Sequence, residues 1–231
     1  GGEILAKFID DGACELYHNN TIRLATTTSG ISISDELNVV GLTTIGGDVS
    51  IADKIIHTGD TNTAIRFPAA DTVAVETGGS EALRIKSDGK VLLQHYTSRS
   101  VGGAANQRLV QIEGTTKNDS SMSLVNNQNN GAAPTINFGK TRGSSTGDST
   151  IVQDGDDLGA IEWTGADGVD LANATAALKA IVNGTVSGNT IPTDIVFQTS
   201  ATSGAAKEER VRIDSAGLVG IGTDSPQRLL H

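Results

Sequence analysis

Apolar and polar residues alternate with a period of two along most of this chain, in short runs closed by Gly, Asn or Asp. A period of two places alternate side chains on opposite faces of an extended segment, so the pattern predicts β-strands joined by tight turns. Residues 81–94, EALRIKSDGKVLLQ, show it most fully. Leu83 and Ile85 face one way, Arg84 and Lys86 the other, and Val91 and Leu93 resume the apolar face. Ser87-Asp88-Gly89-Lys90 suits a two-residue type I′ turn, since Asp-Gly tolerates positive φ at both central positions. Residues 209–222, ERVRIDSAGLVGIG, repeat the phrase when Val211 is laid on Leu83. The second copy carries Ala216 where the first has Asp88, so type I′ is harder there and a type II turn through Gly217 stays open. Gly89 and Gly217 are read as backbone turns. Arg84 and Arg212 either point outward or pair with acids of an adjacent chain.

The rest of the chain divides by its beat. Residues 1–40 read as short strands broken at Asp11-Gly12 and Asn19-Asn20, with TIRLATTTSGISIS as a looser copy of the same phrase. Residues 37–60 place Gly at each corner of runs three or four residues long, the mark of a β-solenoid or trimeric prism, with an ordinary meander as the other reading. From residue 97 the register changes. Polar loops flank RLVQIEG and MSLVNN; then PTINFGKTRG, LGAIEWTGADG, ALKAIVNG and TDIVFQTSA read as strands spaced as in a β-sandwich. LANATAALKA is the one stretch with helical character, because Leu171, Ala174 and Leu178 share a helical face. Three regions follow: a shaft-like repetitive part at 1–96, a globular β-domain at 97–208, and a closing strand–turn–strand at 209–231.

Composition changes this picture in one respect. Apolar residues are 37% and aromatics 3% of the chain, while there are 28 Gly. That is a thin supply of core for 231 residues. The apolar residues are patterned, which argues against disorder. An elongated oligomer in which each chain completes the core of its neighbours is the expected solution. The net charge of −10 disfavours nucleic acid and anionic membrane surfaces as partners. Cys14 is the single cysteine, so no intrachain disulfide forms, and no apolar run reaches the length of a membrane span. The chain starts at Gly1-Gly2 without Met and ends mid-phrase, as expected of a piece of something longer.

Four segments resemble the distal part of tailed-bacteriophage tail fibres: residues 10–34, GAIEWTGADG at 159–168, 180–200, and ERVRIDSAGLVGIGTDSP at 209–226. The resemblance implies a homotrimer, a place in the virion, and contact with other tail proteins and with a glycan or protein receptor on the bacterial surface. It also implies that the closing segment is of the kind that precedes a self-cleaving, endosialidase-type intramolecular chaperone.

The candidate chemistry is sparse. Asp154, Asp156, Asp157 and Glu162 are the carboxylates that a glycosidase would need in opposed pairs, and Glu162-Trp163 would suit a sugar-stacking site. A run such as DGDDLG more often makes a solvated turn, and a lone Trp in an aromatic-poor chain is more often its core anchor. The run DGDDLG lacks the ligand order of a calcium loop. Cys14 and His18 form no activated pair, and His18, His57, His95 and His231 are too scattered to predict a metal site. GLVGIG has its glycines in the wrong order for dinucleotide binding. No catalytic residue, cofactor or metal is expected.

The expectation is thus an all-β, elongated homotrimeric fibre with stacked or prism-like short strands, followed by a more globular β-sandwich-like domain. Its function is structural and adhesive, with recognition on loops of residues 103–200. A tailspike depolymerase acting on surface polysaccharide and a bacterial surface adhesin are the alternatives.

Overall fold

A computed structural model describes residues 2–103, 105, 107–201 and 206–228. The protein is all-β: among these residues one 3-10 turn, Asn118–Ser120, is the sole helical element. The chain forms two compact units, residues 1–50 and 51–231.

The first unit is an antiparallel meander of β1 (Ala6–Phe8), β2 (Cys14–His18), β3 (Thr21–Thr27) and β4 (Gly30–Ile33), paired in chain order. Its corners fall where the sequence places Asp and Asn. Asp11, Asn19 and Asn20 take φ of 52°, 53° and 58°, a region those short polar side chains tolerate. Leu16, Leu24 and Ile33 line up across three strands. Residues 34–53 form no strand, so the short beat expected over 37–60 yields only β5 (Lys54–His57). Val40 and Leu42 are 98% and 92% exposed. Runs of three residues offer too few ladder bonds to hold a strand without a neighbour.

The second unit holds two sheets. One runs β10-β9-β8-β7-β6-β5, built from β5, β6 (Asp60–Ala69), β7 (Thr72–Thr77), β8 (Ser80–Ile85), β9 (Val91–Leu93) and β10 (Val110–Ile112). All pairs are antiparallel except β10, which lies parallel on the edge of β9. The other is a meander of β11 (Asp157–Thr164), β12 (Ala174–Val182), β13 (Thr193–Thr199), β14 (Glu208–Ile213) and β15 (Val219–Ile221). Hydrogen bonding runs across residues 96 and 208: β10 joins the earlier sheet, and β14 and β15 complete the later one.

The repeated phrase is one part of a larger duplication. The row Ala74–Arg84–Leu92 in the sheet of β5–β10 matches Val196–Arg212–Gly220 in the sheet of β11–β15. Each copy has a bulge at the same place, leaving Ala82 and Arg210 unpaired in the ladder with β7 and β13. The carbonyls of those two residues accept the N–H of Gln94 and Gly222, whose φ values are 66° and 70°. The turns also match, which corrects the expectation from sequence. Gly89 N–H donates to Lys86 O at 2.8 Å, and Lys86 N–H to Lys90 O at 2.9 Å. Gly217 N–H donates to Asp214 O at 2.9 Å, and Asp214 N–H to Leu218 O at 3.0 Å. Each is a three-residue loop closed by a left-handed glycine, φ 80° and 82°, and not a type I′ turn. Only the glycine needs positive φ, so Asp88 and Ala216 are interchangeable one position earlier.

LANATAALKA is not helical. Residues 174–182 form β12, in which Leu178 sits between Ile161 and Phe197, and Ala177 is buried. Pairing on both edges outweighs the intrinsic preference of alanine.

Burial inverts the usual arrangement. In the sheet of β5–β10, Ala64, Ala74 and Leu92 are buried on the face that also carries Arg66, Glu76, Glu81 and Arg84. In the sheet of β11–β15, Val196 and Asp194 are buried on the face that carries Arg212 and Glu209. Long charged side chains lie over small residues and close that face with their stems. The apolar face stays open. Ile55, Ile65, Phe67 and Ile85 in one sheet, and Ile161, Ile195, Phe197 and Ile213 in the other, are half-exposed. Exposures of 37–50% at these positions leave the apolar face of each sheet largely uncovered within the chain.

Candidate functional site

The acidic stretch forms the entry to β11. Gly155 turns the chain at φ 83°, and Gly155 N–H donates to Val182 O at 2.8 Å. Each carboxylate that the sequence singles out has a partner. Asp154 Oδ1 accepts the N–H of Gly184 at 2.7 Å. Asp156 takes a two-pronged contact from Arg142, Nε and Nη2 each at 2.7 Å, and the N–H of Gln153 at 3.0 Å. The Arg142 guanidinium, helped by that amide, holds the Asp156 carboxyl well below the usual carboxylate range. Asp157 pairs across the strand with Lys179 Nζ at 2.8 Å. Glu162 receives Lys207 Nζ at 2.6 Å and Arg108 Nη2 at 3.5 Å.

Glu162 and Trp163 are successive residues of one strand, so they face opposite sides of the sheet. Glu162 joins the charged face with Lys207 and Arg108. Trp163 joins the apolar face; it is 54% exposed and anchors no core. Asp154 lines an open depression of about 310 Å³ with Gly184 and Thr185, and Glu162 lines a separate one of about 430 Å³ with Arg108 and Thr164. The sequence groups these five residues, and the fold distributes them over a turn, two depressions and two faces.

The other candidates fall apart on geometry. Cys14 and His18 are four residues apart along β2, a span of about 13 Å. His57 ends β5. His95 sits between two backbone carbonyls, Thr97 O at 3.0 Å from Nδ1 and Gln111 O at 3.3 Å from Nε2. His231 lies outside the described residues. Among the described residues no three His, Cys, Asp or Glu side chains gather as a metal site, and no helix is long and apolar enough to cross a membrane.

The polar centre that sequence reading missed is Asp194. It is fully buried, and both of its carboxylate oxygens accept hydrogen bonds. Arg212 Nη1 lies at 2.5 Å and Asn183 Nδ2 at 2.6 Å from Oδ2, and Ser215 N–H donates to Oδ1 at 2.9 Å. Arg212 also forks onto Glu209, with Nε and Nη2 both at 2.7 Å. These two acids hold the guanidinium pKa above its ordinary value, Glu209 first. Arg84 repeats the fork onto Glu81 at 2.6 Å, but Thr72 stands where Asp194 would be. Both arginines thus find acids within their own chain. The shared spacing Glu-x-x-Arg was the available signal.

No protein-family model matches the sequence, and no curated protein matches it. Solved structures do resemble the fold. The carboxy-terminal domain of the bacteriophage T5 L-shaped tail fibre aligns with a TM-score of 0.56 at 14% identity, over 84% of this chain and 93% of that one. The same T5 domain solved with its intra-molecular chaperone domain aligns with a TM-score of 0.58 at 14% identity, over 84% of this chain and 64% of the other.

Proposed function

We propose that this chain is a structural part of a phage tail fibre, works as a homotrimer, and serves attachment to a bacterial surface. The observation that carries the reading is the open apolar face of each sheet in residues 51–231, on a fold shared with tail-fibre domains. A single layer of strands with aligned Ile, Val and Phe on one side is half of a core. Other copies of the chain supply the missing layer, and the low aromatic content of the sequence is then sufficient. Of the short beat at 37–60, the runs before β5 form no strand within the chain and belong to the same logic, with partners supplied by other chains.

Attachment falls to the loops of residues 103–200 and to the acidic turn, with Asp154, Asp156, Asp157, Glu162 and Trp163 as its candidate surface. The exposed Trp163 indole is the group suited to a sugar face. The role is adhesive and not hydrolytic. A glycosidase needs one carboxyl able to hold a proton opposite a second carboxylate. Here Asp156 is kept ionised by Arg142, and Glu162 lines a different depression from Asp154. Other tail proteins are its partners in the virion.

Light scattering tests the assembly. The expected mass is three times 23.7 kDa, with a detergent-resistant band on an unheated gel. A monomer overturns the reading. Sustained release of reducing ends from surface polysaccharide would replace it with a depolymerase.

A further inference from the structure

We infer that residues 121–125 and 135–139 are strands of a sheet formed between copies of this chain. The inference rests on the proposed self-assembly and names where backbone exchange occurs. Both segments lie outside every helix, strand and turn, the first opens on an extended Ser121, and both alternate in the manner of strands: Ser-Met-Ser-Leu-Val and Thr-Ile-Asn-Phe-Gly. Neither belongs to any of the three sheets. Among the described residues, their backbone N–H and C=O groups hydrogen-bond to no other segment. Met122, Leu124, Ile136 and Phe138 are all exposed. A segment with strand-like apolar alternation and backbone groups that meet no ladder has the makings of a strand that lacks its partner.

Two features identify that partner as a second copy. The first is charge. The chain carries a net −10, so copies repel wherever acids face one another. Residues 121–139 contain no Asp, Glu, Lys or Arg at all, so like chains approach there without that cost. Edge strands that must stay single are normally guarded by charge, and these are not. The second is continuity. A Cβ on Gly159 would lie 2.6 Å from Phe138 Cβ, so the glycine lets residue 138 settle directly on β11. There Phe138 lines an apolar groove of about 310 Å³ with Ile161, Leu178 and Ile195, on the open face of that sheet. A chain that pairs with residues 135–139 is delivered onto the same face that assembly must cover.

Two readouts on the full chain test this. Hydrogen–deuterium exchange on the assembled protein should show amides of 121–125 and 135–139 exchanging roughly 100-fold or more slower than unstructured peptide. A photo-cross-linking side chain placed at the exposed Met122 should yield, on irradiation, a band at twice the chain mass whose joined peptides come from residues 121–139 or the groove. Unprotected amides in a protein that scatters as a trimer would overturn the strand exchange and leave the trimer standing. So would cross-links confined to single chains. A monomer in light scattering overturns both.

Discussion

Gly89 and Gly217 isolate the conformational cost of a turn residue. A Cβ at either position would meet nothing within 4 Å, so steric clash contributes nothing, while φ of 80° and 82° strains any L side chain. Gly89→Ala and Gly217→Ala should each lower stability by about 1–2 kcal/mol, and by the same amount, in denaturant titrations. A Cβ on Gly220 would lie 2.4 Å from the backbone oxygen of Thr223, so Gly220→Ala should cost more than either. Asp156 gives a prediction in pH. Its pKa is depressed in the fold, so its stabilisation is complete above the unfolded carboxylate pKa of about 3.9. It is then lost as pH falls through the folded value. The stability difference between wild type and Asp156→Asn should be flat from neutral pH to about 4 and shrink steadily below it.

Among elements, the two meanders make an internal control. They share register, bulge, turn and Glu–Arg fork, and they differ in what lies beneath the arginine. Arg212 sits on the buried carboxylate of Asp194; Arg84 has Thr72 in that place. Removing Arg212 leaves the fully buried Asp194 without its cation as well as Glu209, whereas removing Arg84 strands Glu81 alone, whose side chain keeps 16% exposure. Arg212→Met should cost about 3–5 kcal/mol, well above the cost of Arg84→Met, in paired unfolding curves. Equal losses would mean that the fork, and not the buried acid, is what matters. The duplication also sets the edges. β9 carries β10 in parallel with Val110 opposite Val91. Among the described residues β15 has no such neighbour.

At the scale of the whole molecule, the proposed assembly through the open apolar faces predicts how it is broken. Phe197 is 42% exposed in the single chain and lies mid-sheet, so Phe197→Asp costs the isolated fold little. Placed in an interface, the same carboxylate is buried without a partner. Phe197→Asp should therefore keep its β-sheet circular dichroism and scatter light as a monomer. A variant that still assembles would move the interface to another surface.

How much of this was legible in the chain follows from the range of each interaction. Alternation, turn glycines and the Glu-x-x-Arg spacing act over a few residues, so all-β character, most strands of residues 54–93 and 157–221, and the repeated phrase were readable from the sequence. The turn type was not, because Asp-Gly satisfies more than one turn and the bulge that selects among them depends on the partner strand. The helical reading of residues 171–180 failed for the same reason: pairing with β11 and β13 outweighs alanine propensity. The acidic residues looked like one site because they are close in sequence. Strand geometry sends Glu162 and Trp163 to opposite faces, and the cations that neutralise the carboxylates, Arg142, Lys179 and Lys207, come from elsewhere in the chain. By itself the sequence determined that this protein is built of strands with too little apolar mass for a closed core. Which face of each sheet is closed by ion pairs and which is left open was decided only by tertiary structure, because that choice depends on residues far apart in the chain meeting across the sheet.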